Sequence, residues 1–132
     1  NNRGLAHRSR GDFYQAIADF AEAIRLDPTN PKTFVNRGAT YHNLGKLDQA
    51  IGDYTEAIQL DDTLSDAFNN RGGAYYEKRD FAAAIADFTR AIELNPENAA
   101  AYLNRSSAYH ASGDEANSIS DLRRAEALGD RP

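Results

Sequence analysis

Four arginines stand in one register: Arg3, Arg37, Arg71 and Arg105, each 34 residues from the next. Asn2, Asn36, Asn70 and Asn104 precede them, and Gly4, Gly38, Gly72 and Ser106 follow. Asp19, Asp53, Asp87 and Asp121 keep the same step. Arginine and aspartate make forked ion pairs, and an asparagine amide both donates and accepts hydrogen bonds. This inventory supports charge pairing and hydrogen-bonded grip rather than bond making. The chain has no cysteine, so disulfides, thiol nucleophiles and thiolate metal sites are all absent. Of the three histidines, His42 and His110 hold equivalent places two repeats apart. Neighbouring helices of one type pack about 10 Å apart, so these two side chains are too distant to share a metal. His7 falls in a core-facing column. No glycine-rich phosphate loop appears, since Arg71-Gly72-Gly73 falls inside a helical pattern. No catalytic residue, metal site or cofactor is expected, and the chain is read as not an enzyme.

The elements that must position these residues follow from the same period. Four units fill the chain: 1–30, which lacks its opening residues, then 31–64, 65–98 and 99–132. Units two and three share 12 of 34 residues without a gap. Each reads as two helices. Phe34, Arg37, Gly38 and Tyr41 recur at helical spacing on one face, and Leu47, Ala50, Ile51, Tyr54, Ala57 and Ile58 form a second stripe. Gly11, Gly45 and Gly113 sit between the helices of their units, where glycine suits the residue just past a helix end. Asp12, Asp80 and Asp114 follow as N-caps for second helices. Pro28 and Pro96 stop second helices, and Asn30-Pro31 reads as an N-cap with proline at the first helical position. Neither helix of a pair can bury its stripe alone, so neighbours must stack.

On these residues the chain resembles the tetratricopeptide repeat family, whose pattern places an aromatic, glycine and tyrosine on the first helix and alanine, an aromatic and proline on the second. Phe68, Gly72, Tyr75, Ala84, Phe88 and Pro96 match in the third unit, and Phe34, Gly38, Tyr41, Ala50 and Tyr54 in the second, with Asp62 in the proline place. The first unit supplies Gly4, Ala16, Phe20 and Pro28. The fourth departs, with Ser106, Ser118, Leu122, Glu115 and Glu126, and is read as a polar cap. The resemblance implies an all-α fold, a right-handed α-solenoid of tandem helix-turn-helix repeats. It would form one array over 1–132. A longer parent with further repeats upstream is expected.

Within such an array the register splits into three jobs. The glycines Gly4, Gly38 and Gly72 allow close approach of the partner helix, against Ala16, Ala50 and Ala84. The arginines Arg3, Arg37, Arg71 and Arg105 face the core and need partners. Asp19, Asp53, Asp87 and Asp121 are available, in the same unit or the next. The asparagines lie opposite the apolar face of their helix, at about 100° per residue. This places Asn2, Asn36, Asn70 and Asn104 in an exposed strip. In the family this face lines a concave groove. The ladder resembles that of the O-linked N-acetylglucosamine transferase superhelix, which implies a grip on an extended peptide backbone. Val35, His42, Asn69, Tyr76 and His110 would set side-chain preference. The lysine- and arginine-rich carboxylate clamp of chaperone-tail receptors is poorly matched, because Asp66 and Asn70 stand where positive charge is wanted and Leu5 replaces an asparagine.

The expected function is a protein-interaction module for an extended peptide of a partner protein. The alternatives are a structural spacer that self-associates end to end, and the substrate-recruiting region of a larger protein. A net charge of −5 speaks against a nucleic-acid partner. No apolar run approaches the ~20 residues of a membrane helix. No membrane role is therefore expected; the lack of cysteine does not identify the compartment, and a soluble, cytoplasmic chain is favoured over the other locations.

Overall fold

A computed structural model describes residues 10–129. Among them are seven helices and no strand: α1 (Arg10–Leu26), α2 (Pro31–Asn43), α3 (Leu47–Leu60), α4 (Ser65–Glu77), α5 (Phe81–Leu94), α6 (Ala99–Ala111) and α7 (Glu115–Gly129). By contact the chain divides into two compact units, residues 1–62 and 63–132. In the first, α1 packs on α2 and α2 on α3. In the second, α4 pairs with α5, α6 with α7, and α5 carries α6.

Local chemistry sets the boundaries. Asn30 caps α2 by accepting from the Lys32 amide at 3.1 Å, with Pro31 opening the helix. Asp80 accepts from the Ala83 amide at 3.2 Å, Asn98 from Ala101 at 3.1 Å and Asp114 from Asn117 at 3.2 Å. The first helices of three repeats end identically. The Gly45 and Lys46 amides reach the carbonyls of His42 (3.0 Å) and Tyr41 (2.9 Å). Arg79 and Asp80 do the same to Tyr76 and Tyr75, and Gly113 and Asp114 to His110 and Tyr109. This double bond needs a left-handed residue at its centre. Gly45 (φ 79°) and Gly113 (φ 89°) supply it freely, whereas Arg79 adopts φ 68° with a full side chain. Gly11 and Asp12 depart from their expected roles, because both lie inside α1. Asp12 sits in its first turn, where a carboxylate still opposes the positive end of the helix dipole. The second helices α1 and α5 stop at Leu26 and Leu94, two residues before Pro28 and Pro96. With Asp62 in the proline place, α3 also ends, at Leu60.

The core of the first unit contains Phe34, Gly38, Ala50, Tyr54 and Ala57. In the second, Ala84, Phe88 and Ala108 form a buried cluster flanked by Tyr75, Tyr76 and Ile85. The glycines lie tight against the partner helix as expected, and the nearest atoms there are aromatic rings, with the Ala50 backbone beside the ring at Gly38. A Cβ on Gly38 would come within 2.8 Å of the Tyr54 ring and 3.2 Å of the Ala50 carbonyl. On Gly72 it would stand 2.6 Å from the Phe88 ring. In the fourth repeat the ring is replaced by Leu122, and Ser106 fits where glycine stood, its hydroxyl donating to the Ser118 carbonyl at 2.8 Å.

Candidate functional site

The arginines and aspartates pair within each repeat, sixteen residues apart in sequence. Arg37 Nε and Nη2 donate to Asp53 Oδ2 and Oδ1 at 2.8 and 2.7 Å. Arg71 makes the same fork on Asp87, both at 2.8 Å, and Arg105 on Asp121 at 2.8 and 2.7 Å. The three carboxylates are buried and the guanidinium side chains about four-fifths buried, at 22%, 19% and 19% exposure. Each guanidinium also lies against aromatic rings of its own helix. Arg37 is 5.9 Å from the centroids of Phe34 and Tyr41, and Arg105 is 5.7 Å from those of Tyr102 and Tyr109. The aspartate hydrogen bonds push all three arginine pKa values above their ordinary level, against the opposing effect of burial. Such a group stays charged at any pH the fold meets, so each pair acts as a permanent brace between the two helices of a hairpin. Asp19 lies exposed on α1 and accepts from Gln15 at 3.1 Å. Arg3 and Asn2, with Gly4, Leu5 and His7, lie outside the described residues.

The asparagines occupy the other face. In the first unit Asn36 is exposed on α2, beside half-buried Val35. His42 is also half-buried, its ring edge-on to Tyr54 with centroids 6.5 Å apart. In the second unit Asn69, Asn70 and Asn104 are half-buried rather than fully exposed. The reason lies in the approach of α6 to α4, which lets Asn104 Nδ2 donate to Asn69 Oδ1 at 3.0 Å. Beside this amide pair is a small cleft of about 90 Å³ lined by Gly73, Tyr76, Phe88, Asn104 and Ser107. Tyr76 packs edge-on to Phe81 with centroids 5.4 Å apart. One repeat later the same two places hold His110 and Glu115, whose Nδ1 and Oε1 pair at the exposed surface.

Gly73 and Ser107 fall in the groove that the sequence predicts along the first helices, beside Tyr76. Phe88, a core position by its spacing, also lines the cleft and is the cleft residue that sequence reasoning missed. The same reasoning also missed a polar link between repeats. Asn98 Nδ2 donates to Ser65 Oγ at 3.2 Å, and that hydroxyl donates to the Ala91 carbonyl at 2.8 Å. Among the described residues no group of three or more histidines, cysteines or acids could hold a metal ion. No helix among them is long and apolar enough to cross a membrane.

Comparison with known proteins agrees with this architecture. Models of the tetratricopeptide repeat match residues 31–64, 65–98 and 88–120, and a further TPR repeat model matches residues 4–45. No curated protein sequence matches the chain significantly. Among solved structures, a crystal structure of MamA is similar at 30% identity and a TM-score of 0.85, over 95% of this chain and 73% of that one. The Arabidopsis OM64 TPR domain is similar at 27% identity and a TM-score of 0.74, over 75% and 82%. The first TPR of Spaghetti (RPAP3), bound to the HSP90 peptide SRMEEVD, is similar at 28% identity and a TM-score of 0.76, over 80% and 84%. With three helical hairpins in the register of the repeat and models matching along most of its length, the chain belongs to the tetratricopeptide repeat family.

Proposed function

We propose that the chain is a protein-interaction module that holds an extended peptide of a partner protein along its first helices. Asn36, Asn70 and Asn104 grip the peptide backbone, each amide offering a donor and an acceptor. Val35, His42, Asn69, Tyr76 and His110 meet its side chains. The observation that carries this reading is the Asn104–Asn69 amide pair at the rim of the 90 Å³ cleft. There, hydrogen-bonding groups and an aromatic wall converge on a space the size of a small side chain. Each neutral hydrogen bond nets only about 1 kcal/mol, so affinity is modest and spread along the strip.

A peptide-bound relative supports the kind of ligand, and local charge argues against the same sequence here. Asp66 is exposed in the first turn of α4, and a carboxylate there disfavours an acidic tail. A pull-down from source-cell lysate, read by mass spectrometry, tests the reading. The wild type runs beside the triple variant Asn36→Ala, Asn70→Ala, Asn104→Ala, matched for melting temperature. Partners retained by the wild type and lost by the variant are expected. Identical partner sets would refute the asparagine grip.

A further inference from the structure

The cleft beside the Asn104–Asn69 pair owes its shape to two adjacent glycines in α4. Gly72 admits the Phe88 ring, which would lie 2.6 Å from a Cβ there. Phe88 is only 1% exposed, so no more than an edge of its ring reaches the cleft. Gly73 follows, half-buried and lining the cleft itself. A second glycine inside a helix weakens it further, and what it leaves is open space beside that ring. The other repeats lack this combination. Ala39 follows Gly38 over Tyr54, Ser107 follows Ser106 in the repeat that has Leu122, and the first repeat has Leu5 in this place. The third repeat alone joins a residue without a side chain, on the groove side, to an aromatic floor.

Volume and lining decide what fits. About 90 Å³ is the liquid volume of roughly three waters, and so of about three methyl-sized groups. A benzene ring is held by a cavity nearer 150 Å³, so an aromatic side chain is too large. None of the lining residues carries a charge. Their donors are engaged: Asn104 Nδ2 donates to Asn69 Oδ1 at 3.0 Å, and Ser107 Oγ to the Leu103 carbonyl at 3.2 Å. The surface left to a ligand is the Tyr76 and Phe88 rings and the bare backbone at Gly73. A valine side chain has three carbons and suits this space. Its branched Cβ also favours the extended backbone of a peptide laid along the groove.

We propose that the cleft is a specificity pocket of the peptide groove. It takes one valine-sized aliphatic side chain, and Gly73 sets the size limit. This rests on the peptide reading above and adds to it the chemistry of one ligand residue. The asparagine amides hold the backbone beside the cleft, and burial of two methyl groups against the rings supplies the selection.

The probe is a display library of random peptides about nine residues long, enough to cross α4 and α6 when extended. It is selected on the full chain. Enriched peptides are labelled with fluorescein, varied to alanine, valine and phenylalanine at each position, and titrated by anisotropy. One position is expected to favour valine over alanine about fivefold, as two methyl groups in an open cleft allow, and to reject phenylalanine. In Gly73→Ala the added methyl group takes up the space. That preference should then vanish while the alanine form of the peptide binds as before. Alanine strengthens the helix, so loss of the preference cannot come from unfolding. Enriched peptides without such a position, a position that favours phenylalanine, or a valine preference that survives Gly73→Ala would overturn the pocket and leave the peptide reading standing. A library from which nothing is enriched would overturn both.

Discussion

Arg71 shows why a charge can sit inside a small helical hairpin. Its fork satisfies both oxygens of Asp87, and the Phe68 ring lies 5.6 Å from the guanidinium carbon. Breaking a fully buried pair costs about 3–5 kcal/mol, and the one-fifth exposure of Arg71 reduces this. Arg71→Ala is therefore expected to lose about 2–3 kcal/mol in urea denaturation, and a loss below about 1 kcal/mol would mean the brace contributes nothing special. The glycine beside it obeys a different constraint. Gly72→Ala gains about 1 kcal/mol of helix propensity, but its Cβ would meet the Phe88 ring at 2.6 Å. A net loss of about 1–2 kcal/mol is expected, since overpacking outweighs propensity. The fourth repeat indicates the remedy: Leu122, in the register of the ring, is exposed, and the Ser106 side chain is buried and bonded to Ser118. In a Phe88→Leu background, Gly72→Ala should cost less than in the wild type, and additive losses would contradict the contact.

At the scale of elements, helix ends offer the clearest test. Arg79 completes the same two-bond cap as Gly45 and Gly113, but at φ 68° it pays the left-handed penalty that glycine avoids. Arg79→Gly should raise stability by about 0.5–1 kcal/mol, read as a higher urea midpoint with an unchanged slope. Most of this architecture was legible in the sequence because it follows from local rules. Asn30-Pro31, Asp80 and Asp114 announce helix starts by side-chain chemistry alone, and the 34-residue step announces the pairing of hairpins. What could not be read depends on distance across helices. The period placed an aspartate opposite each arginine without deciding between the same repeat and the next. It put Asn70 and Asn104 in the open, and the approach of α6 to α4 half-buries them. The rings beside Gly38 and Gly72 have the same origin: the period points to Ala50 and Ala84 on the partner helix, and the Tyr54 and Phe88 rings come nearest because they reach further.

Over the whole molecule, stability is a sum of hairpins and their contacts with neighbours. Its distribution along the chain should then follow burial. Helix α5 buries Ala84, Asp87, Phe88 and Ala91, whereas α7 buries Ser118, Asp121 and Ala125 and leaves Ile119 and Leu122 exposed. Hydrogen exchange under native conditions should release the α7 amides before those of α5. Equal protection of the two helices would show that the chain opens as one unit.

The sixteen-residue wiring of each hairpin also bears on how such a chain can be recombined. A crossover between repeats keeps every arginine with its aspartate and every small residue with the side chain that covers it. A crossover inside the tight turn at Arg79 keeps the ion pairs, since both parents supply them, but it mismatches the inner contacts. Gly72 on the fourth repeat's second helix would lose the hydroxyl that Ser106 donates to the Ser118 carbonyl, and Ser106 under Phe88 would meet a ring packed on glycine. The hairpin, and not the helix, is then the smallest segment that can be exchanged without loss, and shuffled libraries of this chain should show surviving joints clustered near 64–65 and 98–99.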